Sequence, residues 1–376
     1  MCERRIHMLK ARWGKLQEAV KASKASGIVL MPGPNMFYMS GLSMGLSERP
    51  TVLVVFGDGK ASFIMPKLER QKGETVSQAL KAKGVDLDFS VYSYTDEEGP
   101  GIAFSQALEQ SSGTWALEYR SLRMLEYSLM RNVIDDFHWI DAGEIMKELR
   151  MVKDEAELQS MQEAARLADL GADLAKKMLA PGKRASEIVL EIEQQLKLEG
   201  ARAVGMSLAT GVDTAIPHAG TSSRIIESGD LAWLDLCANV DGYWSDITRT
   251  YAVGTISDEL RRVYEIVVEA QKNARVNARP GMSGADVDAL ARDVIASYGY
   301  GDRFIHRTGH GLGLEIHEEP YVVASNKTPL PVGSTFTIEP GIYLPGKGGV
   351  RVEDDVVLTP SGAKSLTNYP RSLLDL

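Results

Sequence analysis

The sequence predicts an α/β domain over residues 1–150, followed by an α+β domain over residues 151–376 with an internal pseudo-two-fold repeat. Three observations support this prediction. A length of 376 residues is more than one ordinary domain needs and is comfortable for two. The first part alternates short β-rich runs with helical patterns, whereas the second part contains two similar segments of equal length.

The alternation in residues 1–150 is typical of helices and strands packed in layers. A turn is predicted at Pro32-Gly33-Pro34-Asn35, and no group of chemically reactive residues stands out in this half. A charged stretch beginning at Glu148 opens a long helical pattern and places the domain boundary near residue 150. The predicted strands are 27–31, 51–56, 61–65, 89–94 and 115–118, with helices between them such as 67–81 and 122–133.

The repeat in the second part pairs residues 181–200 with residues 280–299. Each copy begins with Pro-Gly, continues as an amphipathic helix, ends in glycine, and follows a long helical pattern, at 158–179 and at 260–278. The Pro-Gly pair ends one helix, and Ser186 or Ser283 is predicted to cap the next. His218 and His317 each lie 18 residues after the last glycine of their copy, which predicts equivalent positions in the two halves.

Composition restricts the class of protein. A net charge of −9 disfavours nucleic acid as a partner, because a phosphate-binding surface needs an excess of basic groups. The two cysteines, Cys2 and Cys237, do not suggest a disulfide framework. The early charges of the N-terminus disfavour a secretory signal, and no apolar run approaches the roughly 20 residues of a membrane span. We therefore expect a cytoplasmic protein without a membrane partner.

A β-hairpin is predicted where two β-rich runs flank Asp241-Gly242. Side chains alternate along a strand, so Asp235 and Asp246 share one face as diagonal neighbours, about 7–8 Å apart at the backbone. They can converge on a pair of cations, or they can be solvent-facing aspartates of an ordinary hairpin. The facing pairs are Val240 with Tyr243, Cys237 with Asp246, and Asp235 with Thr248.

Three histidines, His306, His310 and His317, lie in the glycine-rich segment FIHRTGHGLGLEIHEEP. Its glycines exclude a stable helix, and it matches neither the HExxH zinc signature nor a dinucleotide fingerprint. A single histidine usually packs in a core or on a surface. Four of the six histidines of the chain, however, lie in this segment or at its repeat equivalent, which favours a functional group.

Two further carboxylates complete the candidate set. Glu339 ends a β-like run before Pro340-Gly341, and Glu353 lies in GGVRVEDDVVL, where Arg351 and Glu353 are predicted to share one polar face. Taken alone, that run also fits an edge strand with a salt-bridged outer face. Asp354 has the opposite parity and ranks below Glu353.

Four carboxylates and one imidazole suit Mn²⁺, Co²⁺ or Zn²⁺ rather than copper or an iron–sulfur cluster. Four negative charges balance two divalent cations and leave room for a bridging hydroxide, and such a site polarises a carbonyl and activates water. Nearby histidines can transfer protons or bind a developing oxyanion. The predicted ligands are Asp235, Asp246, His310, Glu339 and Glu353.

These residues resemble the creatinase/prolidase/methionine aminopeptidase family, the pita-bread metallopeptidases. The resemblance rests on DLCANVDGYWSDITRT, TGHGLGLEIHEEP, TIEPGIY and GVRVEDD and extends from about residue 150 to the C-terminus. It implies an N-terminal creatinase-type α/β domain before an α+β pita-bread catalytic domain. It also implies two divalent metal ions, foremost Mn²⁺ with Co²⁺ or Zn²⁺ as alternatives, and a homodimer.

The resemblance also implies roles for single residues. Asp246 and Glu353 would bridge the metals. Asp235 would complete the ligands of one ion, and His310 and Glu339 would complete those of the other. The implied catalytic residues are His218, His317 and His306, and the implied substrate-binding residues are Arg351, His218 and Tyr321.

Tyr321 departs from the family pattern. Some prolidases have an arginine here that can bind the dipeptide carboxylate, so strict dipeptide specificity is open, although Arg351 could supply that contact.

The function expected from the resemblance is hydrolysis of the Xaa-Pro bond of dipeptides or short peptides by a metal-bridging hydroxide. An Xaa-Pro dipeptidase is the first expectation, and an Xaa-Pro aminopeptidase is the second. The alternatives are a metal-dependent amidohydrolase acting on a non-peptide C–N bond and a metal-free binding or creatinase-like member. The expected partner is a small peptide substrate.

Overall fold

A six-stranded mixed sheet forms the centre of residues 1–150, the first of two units into which the chain divides; the second is residues 151–376. The computed structural model describes residues 2–85 and 87–375. In the first unit the helices are α1 (Cys2–Ala22), α2 (Pro34–Ser40), α3 (Arg70–Ala82), α4 (Gly101–Ala107), α5 (Met124–Arg131) and α6 (Ala142–Met151), and the strands are β1 (Gly27–Leu30), β2 (Val52–Phe56), β3 (Ala61–Pro66), β4 (Phe89–Tyr94), β5 (Ser112–Leu117) and β6 (Asp135–Asp141).

The sheet has the order β4-β3-β2-β1-β5-β6, and β2 pairs antiparallel with both β1 and β3. All five predicted strands are present. The edge strand β6 was not predicted. Its residues are half-buried or exposed, so its sequence lacks the alternation of apolar and polar residues that marks a strand with one buried face. The predicted turn at 32–35 was wrong for its second half, because α2 begins at Pro34, whose ring favours a first helical position.

In the second unit, the described residues 151–375 form four long helices and three sheets. The sheets have the orders β17-β9-β8-β7, β11-β10-β12-β15-β16 and β13-β14. The helices are α7 (Glu155–Met178), α8 (Ala185–Leu198), α9 (Asp258–Asn277) and α10 (Gly284–Ser297), and the strands are β7 (Ala203–Thr210), β8 (Asp230–Val240), β9 (Tyr243–Val253), β10 (Gly309–Gly311), β11 (Glu318–Val322), β12 (Thr335–Ile338), β13 (Gly341–Leu344), β14 (Gly348–Arg351), β15 (Asp354–Thr359), β16 (Gly362–Ser365) and β17 (Leu374–Asp375).

The repeat is visible as two helix pairs, each packed on its own apolar core. Both α8 and α10 have 14 residues, and each follows a glycine with a positive φ, 88° at Gly182 and 87° at Gly281. The backbone N–H groups of these glycines donate to Ile226 and Leu330, respectively, each at 2.9 Å. Matched backbone contacts at matched positions therefore relate the two halves.

The two helix starts differ in their caps. Ser283 caps α10 as predicted, and its hydroxyl accepts a hydrogen bond from the N–H of Asp286 in a capping box. The prediction for Ser186 was wrong: Arg184 is the N-cap of α8, without a side-chain hydrogen bond, and Ser186 is exposed inside the helix. The repeat explains this, since Arg184 and not Ser186 is equivalent to Ser283.

The hairpin β8–β9 has the predicted register, with Val240 facing Tyr243, Cys237 facing Asp246, and Asp235 facing Thr248. The two loop residues, Asp241 and Gly242, have φ values of 52° and 92°, as a type I′ turn requires.

The run from Val350 to Asp355 is not the single strand that was predicted. Arg351 ends β14 in one sheet, Glu353 lies in the break, and Asp354 begins β15 in another sheet. Arg351 and Glu353 are only 4% and 2% exposed, so the alternative that they form the outer, solvent-facing side of an edge strand was wrong. Among the helices of the described residues, none combines the length and apolar character that a membrane span requires.

Candidate metal centre

The candidate centre begins on one face of the β8–β9 hairpin. Asp235 and Cys237 point from β8 to the same side, and Asp246 faces Cys237 from β9. One potential ligand atom from each of these three residues lies within 4.8 Å of the other two. The predicted convergence of the two aspartates is therefore present in the structure.

A second group shares Asp246 with the first. Asp246, His310 and Glu353 also offer ligand atoms that lie within 4.8 Å of one another. His310 Nε2 lies 3.3 Å from Glu339 Oε1 and 3.9 Å from Asp246 Oδ2. The hairpin, β10, the end of β12 and the β14–β15 break thus bring all five predicted ligands into one cluster.

The cluster is electrostatically costly without cations. Burial, and then the negative charge of a neighbouring aspartate, raise the pKa of both Asp246 and Glu353 well above the ordinary values. Burial likewise raises the pKa of Glu339 to about 7. Buried carboxylates that ionise together need compensating positive charge. The donor set therefore fits divalent metal cations.

His310 is prepared to act as a nitrogen ligand. Burial lowers the pKa of its imidazole to about 3, so the ring is neutral at physiological pH. Its Nδ1 lies 3.1 Å from the carbonyl oxygen of Gly311, to which a protonated Nδ1 donates. That tautomer leaves the lone pair of Nε2 directed at Glu339 and Asp246.

Hydroxyl groups orient the carboxylates. Thr248 Oγ1 donates to Glu353 Oε2 at 2.6 Å, and Thr337 Oγ1 donates to Glu339 Oε1 at 3.3 Å. The backbone N–H of Asp246 donates to the buried Asp355 at 2.9 Å. Such outer contacts fix the rotamers of metal ligands and tune their basicity.

Arg351 is buried and engaged within the protein. It donates to Asp235 Oδ2 at 2.7 Å and to Thr248 Oγ1, the carbonyl oxygen of Pro217 and the Tyr343 hydroxyl at 2.9–3.1 Å. These contacts use four of the five N–H donors of a guanidinium. Arg351 therefore contacts Asp235 from within the protein, and its role in binding substrate stays a prediction.

His306 lies at the far end of the same hydrogen-bond chain. Its Nε2 is 2.9 Å from the Tyr343 hydroxyl, and its Nδ1 is 2.8 Å from the carbonyl oxygen of Arg307. Burial lowers the pKa of His306 to about 4, which leaves it neutral. A continuous chain from His306 through Tyr343 to Arg351 therefore ends on the candidate ligand Asp235.

The remaining predicted residues lie around this cluster. The exposed His317 contacts His310 edge to face, with ring centroids 4.1 Å apart. His218 is exposed, and within the part of the chain that is described its side chain has no hydrogen-bond partner. Tyr321 is half-buried and lies under the guanidinium of Arg307, 4.5 Å from the ring centroid.

Several residues of the site were not predicted as part of it: Cys237, Thr248, Arg307, Thr337, Tyr343 and Asp355. The hairpin register could have identified Cys237, whose Sγ donates to Asp246 Oδ1 at 3.2 Å, and Thr248, which faces Asp235. Tyr343 gave no signal, because β13 carries no polar pattern.

Fold and site together define a metal-dependent hydrolase with a creatinase-type first domain. The model of metallopeptidase family M24 matches residues 159–360, and the creatinase/prolidase N-terminal domain matches residues 12–152. The chain belongs to metallopeptidase family M24 and is a metallopeptidase. These matches confirm the predicted fold class.

The relatives include dipeptidases and an aminopeptidase. The Xaa-Pro dipeptidase of Pyrococcus furiosus is 37% identical over 370 residues, which cover 97% of this chain and 100% of that protein. The crystal structure of a dipeptidase from Pyrococcus horikoshii OT3 has a TM-score of 0.88 at 36% identity, covering 97% of this chain and 100% of that one. The X-Pro aminopeptidase of Thermotoga maritima MSB8 has a TM-score of 0.81 at 30% identity, with coverages of 97% and 99%.

Proposed function

We propose that the chain is a dinuclear-metal Xaa-Pro dipeptidase that hydrolyses the bond before proline in dipeptides or short peptides through a metal-bridging hydroxide. The observation that supports this most is the sharing of Asp246 between two groups of ligand atoms, each of which could hold one cation. Similarity to Xaa-Pro dipeptidases supports the choice of substrate.

In this proposal Asp235 would help to hold one cation, His310 and Glu339 would help to hold the other, and Asp246 and Glu353 would contribute to both. Bound cations, foremost Mn²⁺ with Co²⁺ or Zn²⁺ as alternatives, would polarise the scissile carbonyl and lower the pKa of a bound water. The mixed oxygen and nitrogen donors suit these hard or borderline ions.

The protein's own groups would act around that centre. His317 lies beside His310 and is exposed, so it is placed to stabilise negative charge that develops on the carbonyl oxygen. His218 is assigned the same task from the matching side of the repeat. The His306–Tyr343–Arg351 chain holds Asp235 in one orientation, which keeps the first cation position formed.

An assay of metal-stripped and Mn²⁺-reloaded protein tests the function. We expect turnover of Ala-Pro and Gly-Pro only after metal addition, slower turnover of Ala-Pro-Ala, and no turnover of Ala-Ala. Faster cleavage of Ala-Pro-Ala would assign an Xaa-Pro aminopeptidase, an activity that one structural relative carries in its name. Failure to cleave any Xaa-Pro bond in the reloaded protein would reject both assignments.

We infer that the protein is a homodimer of the cytoplasm without a nucleic-acid partner, as the resemblance and the net charge of −9 suggest. Light scattering coupled to gel filtration should give twice the chain mass of 41.1 kDa. A mass of one chain at micromolar concentration would contradict the dimer.

A further inference from the structure

Arg307 is a charged side chain beside the candidate centre that the mechanism above does not use. Its guanidinium carbon lies 4.5 Å from the centroid of the Tyr321 ring, and both side chains are half-buried. No described residue hydrogen-bonds to or ion-pairs with its side chain. A half-buried cation without an anionic partner is available for an anion from outside the chain.

The backbone that carries Arg307 is held on both sides. On the preceding side, Arg292 donates to the carbonyl oxygen of His306 at 2.8 Å. On the following side, the N–H of Thr308 donates to the carbonyl oxygen of Val322 at 3.1 Å, and its hydroxyl donates to Asp288 at 2.7 Å. The segment is therefore anchored to α10 and β11, and the position of Arg307 is not that of a free surface loop.

Arg307 also lies close to the reacting end of the site. It is three residues before His310, and its aromatic partner Tyr321 lies on β11, which pairs with the strand β10 that carries His310. His317 in turn contacts His310 at 4.1 Å. The guanidinium is therefore carried beside the strand that holds the candidate ligand His310.

The stacked geometry favours a carboxylate as the missing partner. Contact with an aromatic face occupies the flat side of a guanidinium and leaves its N–H donors free in the plane. Two parallel N–H groups match the two oxygens of a carboxylate. The side chain of Arg351, in contrast, donates four hydrogen bonds within the protein and is only 4% exposed, so it is less available to an external carboxylate.

We propose that Arg307, held on the ring of Tyr321, binds the C-terminal carboxylate of a dipeptide substrate and thereby limits the length of peptide that the enzyme cleaves. The inference rests on the proposed function, because it names the group that selects among Xaa-Pro substrates. A longer peptide places an amide where the dipeptide places its carboxylate, and so loses the charge-assisted pair.

The test compares Ala-Pro with its C-terminal amide in the Mn²⁺-loaded wild type and in Arg307→Gln. We expect kcat/KM for Ala-Pro to fall about 10- to 100-fold in the variant, mainly through KM, the range for one lost charge-assisted contact. Turnover of the amide should stay within about three-fold, because no carboxylate is lost from it. An equal loss for both substrates would reduce Arg307 to a general electrostatic role and overturn the proposal.

Three variants separate the carboxylate contact from other effects. Arg303→Gln removes an exposed arginine four residues upstream and should leave both substrates unchanged. Tyr321→Phe keeps the aromatic platform and should preserve the ratio of kcat/KM for Ala-Pro to kcat/KM for its amide, whereas Tyr321→Ala should lower that ratio. Equal behaviour of the Phe and Ala variants would overturn the role of the ring.

A binding measurement keeps this inference separate from the peptidase assignment. Calorimetric titration of the Mn²⁺-loaded protein with L-proline and with L-prolinamide should show proline binding that is lost in Arg307→Gln. If the protein cleaves no Xaa-Pro bond but wild type still binds L-proline more tightly than Arg307→Gln does, the peptidase assignment is rejected and the carboxylate site is supported. Equal proline affinity in wild type and variant would overturn the site.

Discussion

Asp246 is the side chain on which the two ligand groups meet, and its surroundings set the cost of leaving the site without metal. It is 5% exposed, and burial, followed by the charge of Asp235, raises its pKa well above the ordinary value. A charge that destabilises the metal-free protein is therefore available to bind a cation. Removing the charge of Asp246 should therefore lower activity, because metal binding is lost, without lowering the stability of the metal-free protein.

We expect Asp246→Asn to abolish tight metal binding and to reduce kcat/KM by more than about 10³-fold, because a bridging anion is lost. The metal-free variant should be at least as stable as metal-free wild type at pH 8, since a buried charge is removed. Elemental analysis and thermal unfolding measure both effects. Asp241→Asn in the exposed turn of the same hairpin is the control, and metal retained by Asp246→Asn would contradict the assignment.

Thr248 supports the centre without binding metal itself. Its hydroxyl donates to Glu353 and accepts from Arg351, so it joins a predicted bridging ligand to the arginine chain. Thr248→Val should weaken metal affinity about 10- to 100-fold, the usual effect of removing a contact that orients a ligand. Thr248→Ser keeps the hydroxyl and should retain wild-type affinity by calorimetry. An equal loss of metal affinity in both variants would show that the packing of the Thr248 methyl group, and not its hydroxyl hydrogen bond, supports the centre.

At the scale of elements, the amphipathic repeat decides which serine caps a helix. Ser283 caps α10 with a capping box, whereas Ser186 lies exposed within α8. We expect Ser283→Ala to lower the free energy of unfolding by about 1 kcal/mol and Ser186→Ala to change it by less than about 0.5 kcal/mol. Urea unfolding measures both. A larger loss for Ser186→Ala would contradict the assigned helix start.

Elements with a strong local pattern could be predicted from the sequence. The Asp241-Gly242 turn and period-two alternation were enough to place Asp235 and Asp246 on one face. Elements without such a pattern were not recovered. The 350–355 run alternates like one strand, but its break between two sheets depends on long-range packing that no local window contains.

The same limit applies to the site. Single residues with distinctive chemistry, such as His310, could be selected from the sequence and lie in the cluster. The partners that orient them, Tyr343 and Thr337, come from distant strands whose side chains look ordinary in sequence. Folding brings them into contact, so only the three-dimensional structure reveals the hydrogen-bond chain.

At the scale of the whole molecule, the buried carboxylates couple folding to pH and metal. Burial raises the pKa of Glu339 from 4.5 to about 7 and that of Asp355 from 3.8 to about 8. Between these limits the folded, metal-free chain binds more protons than the unfolded chain. Its stability therefore falls as pH rises through this window, by on the order of a few kcal/mol.

We expect thermal unfolding of EDTA-treated protein to occur at a higher temperature at pH 6 than at pH 8, because protonation relieves the buried charge at the lower pH. Mn²⁺ should raise the unfolding temperature more at pH 8 than at pH 6, since cations and protons compete for the same oxygens. Asp355→Asn, which keeps the shape of the protonated side chain, should reduce the pH dependence of the metal-free protein. Stability of the metal-free wild type that increases from pH 6 to pH 8 would show that the folded chain binds fewer protons than the unfolded chain in this window. The buried carboxyl groups would then not have raised pKa values, and the argument for bound cations from electrostatic cost would fail with them.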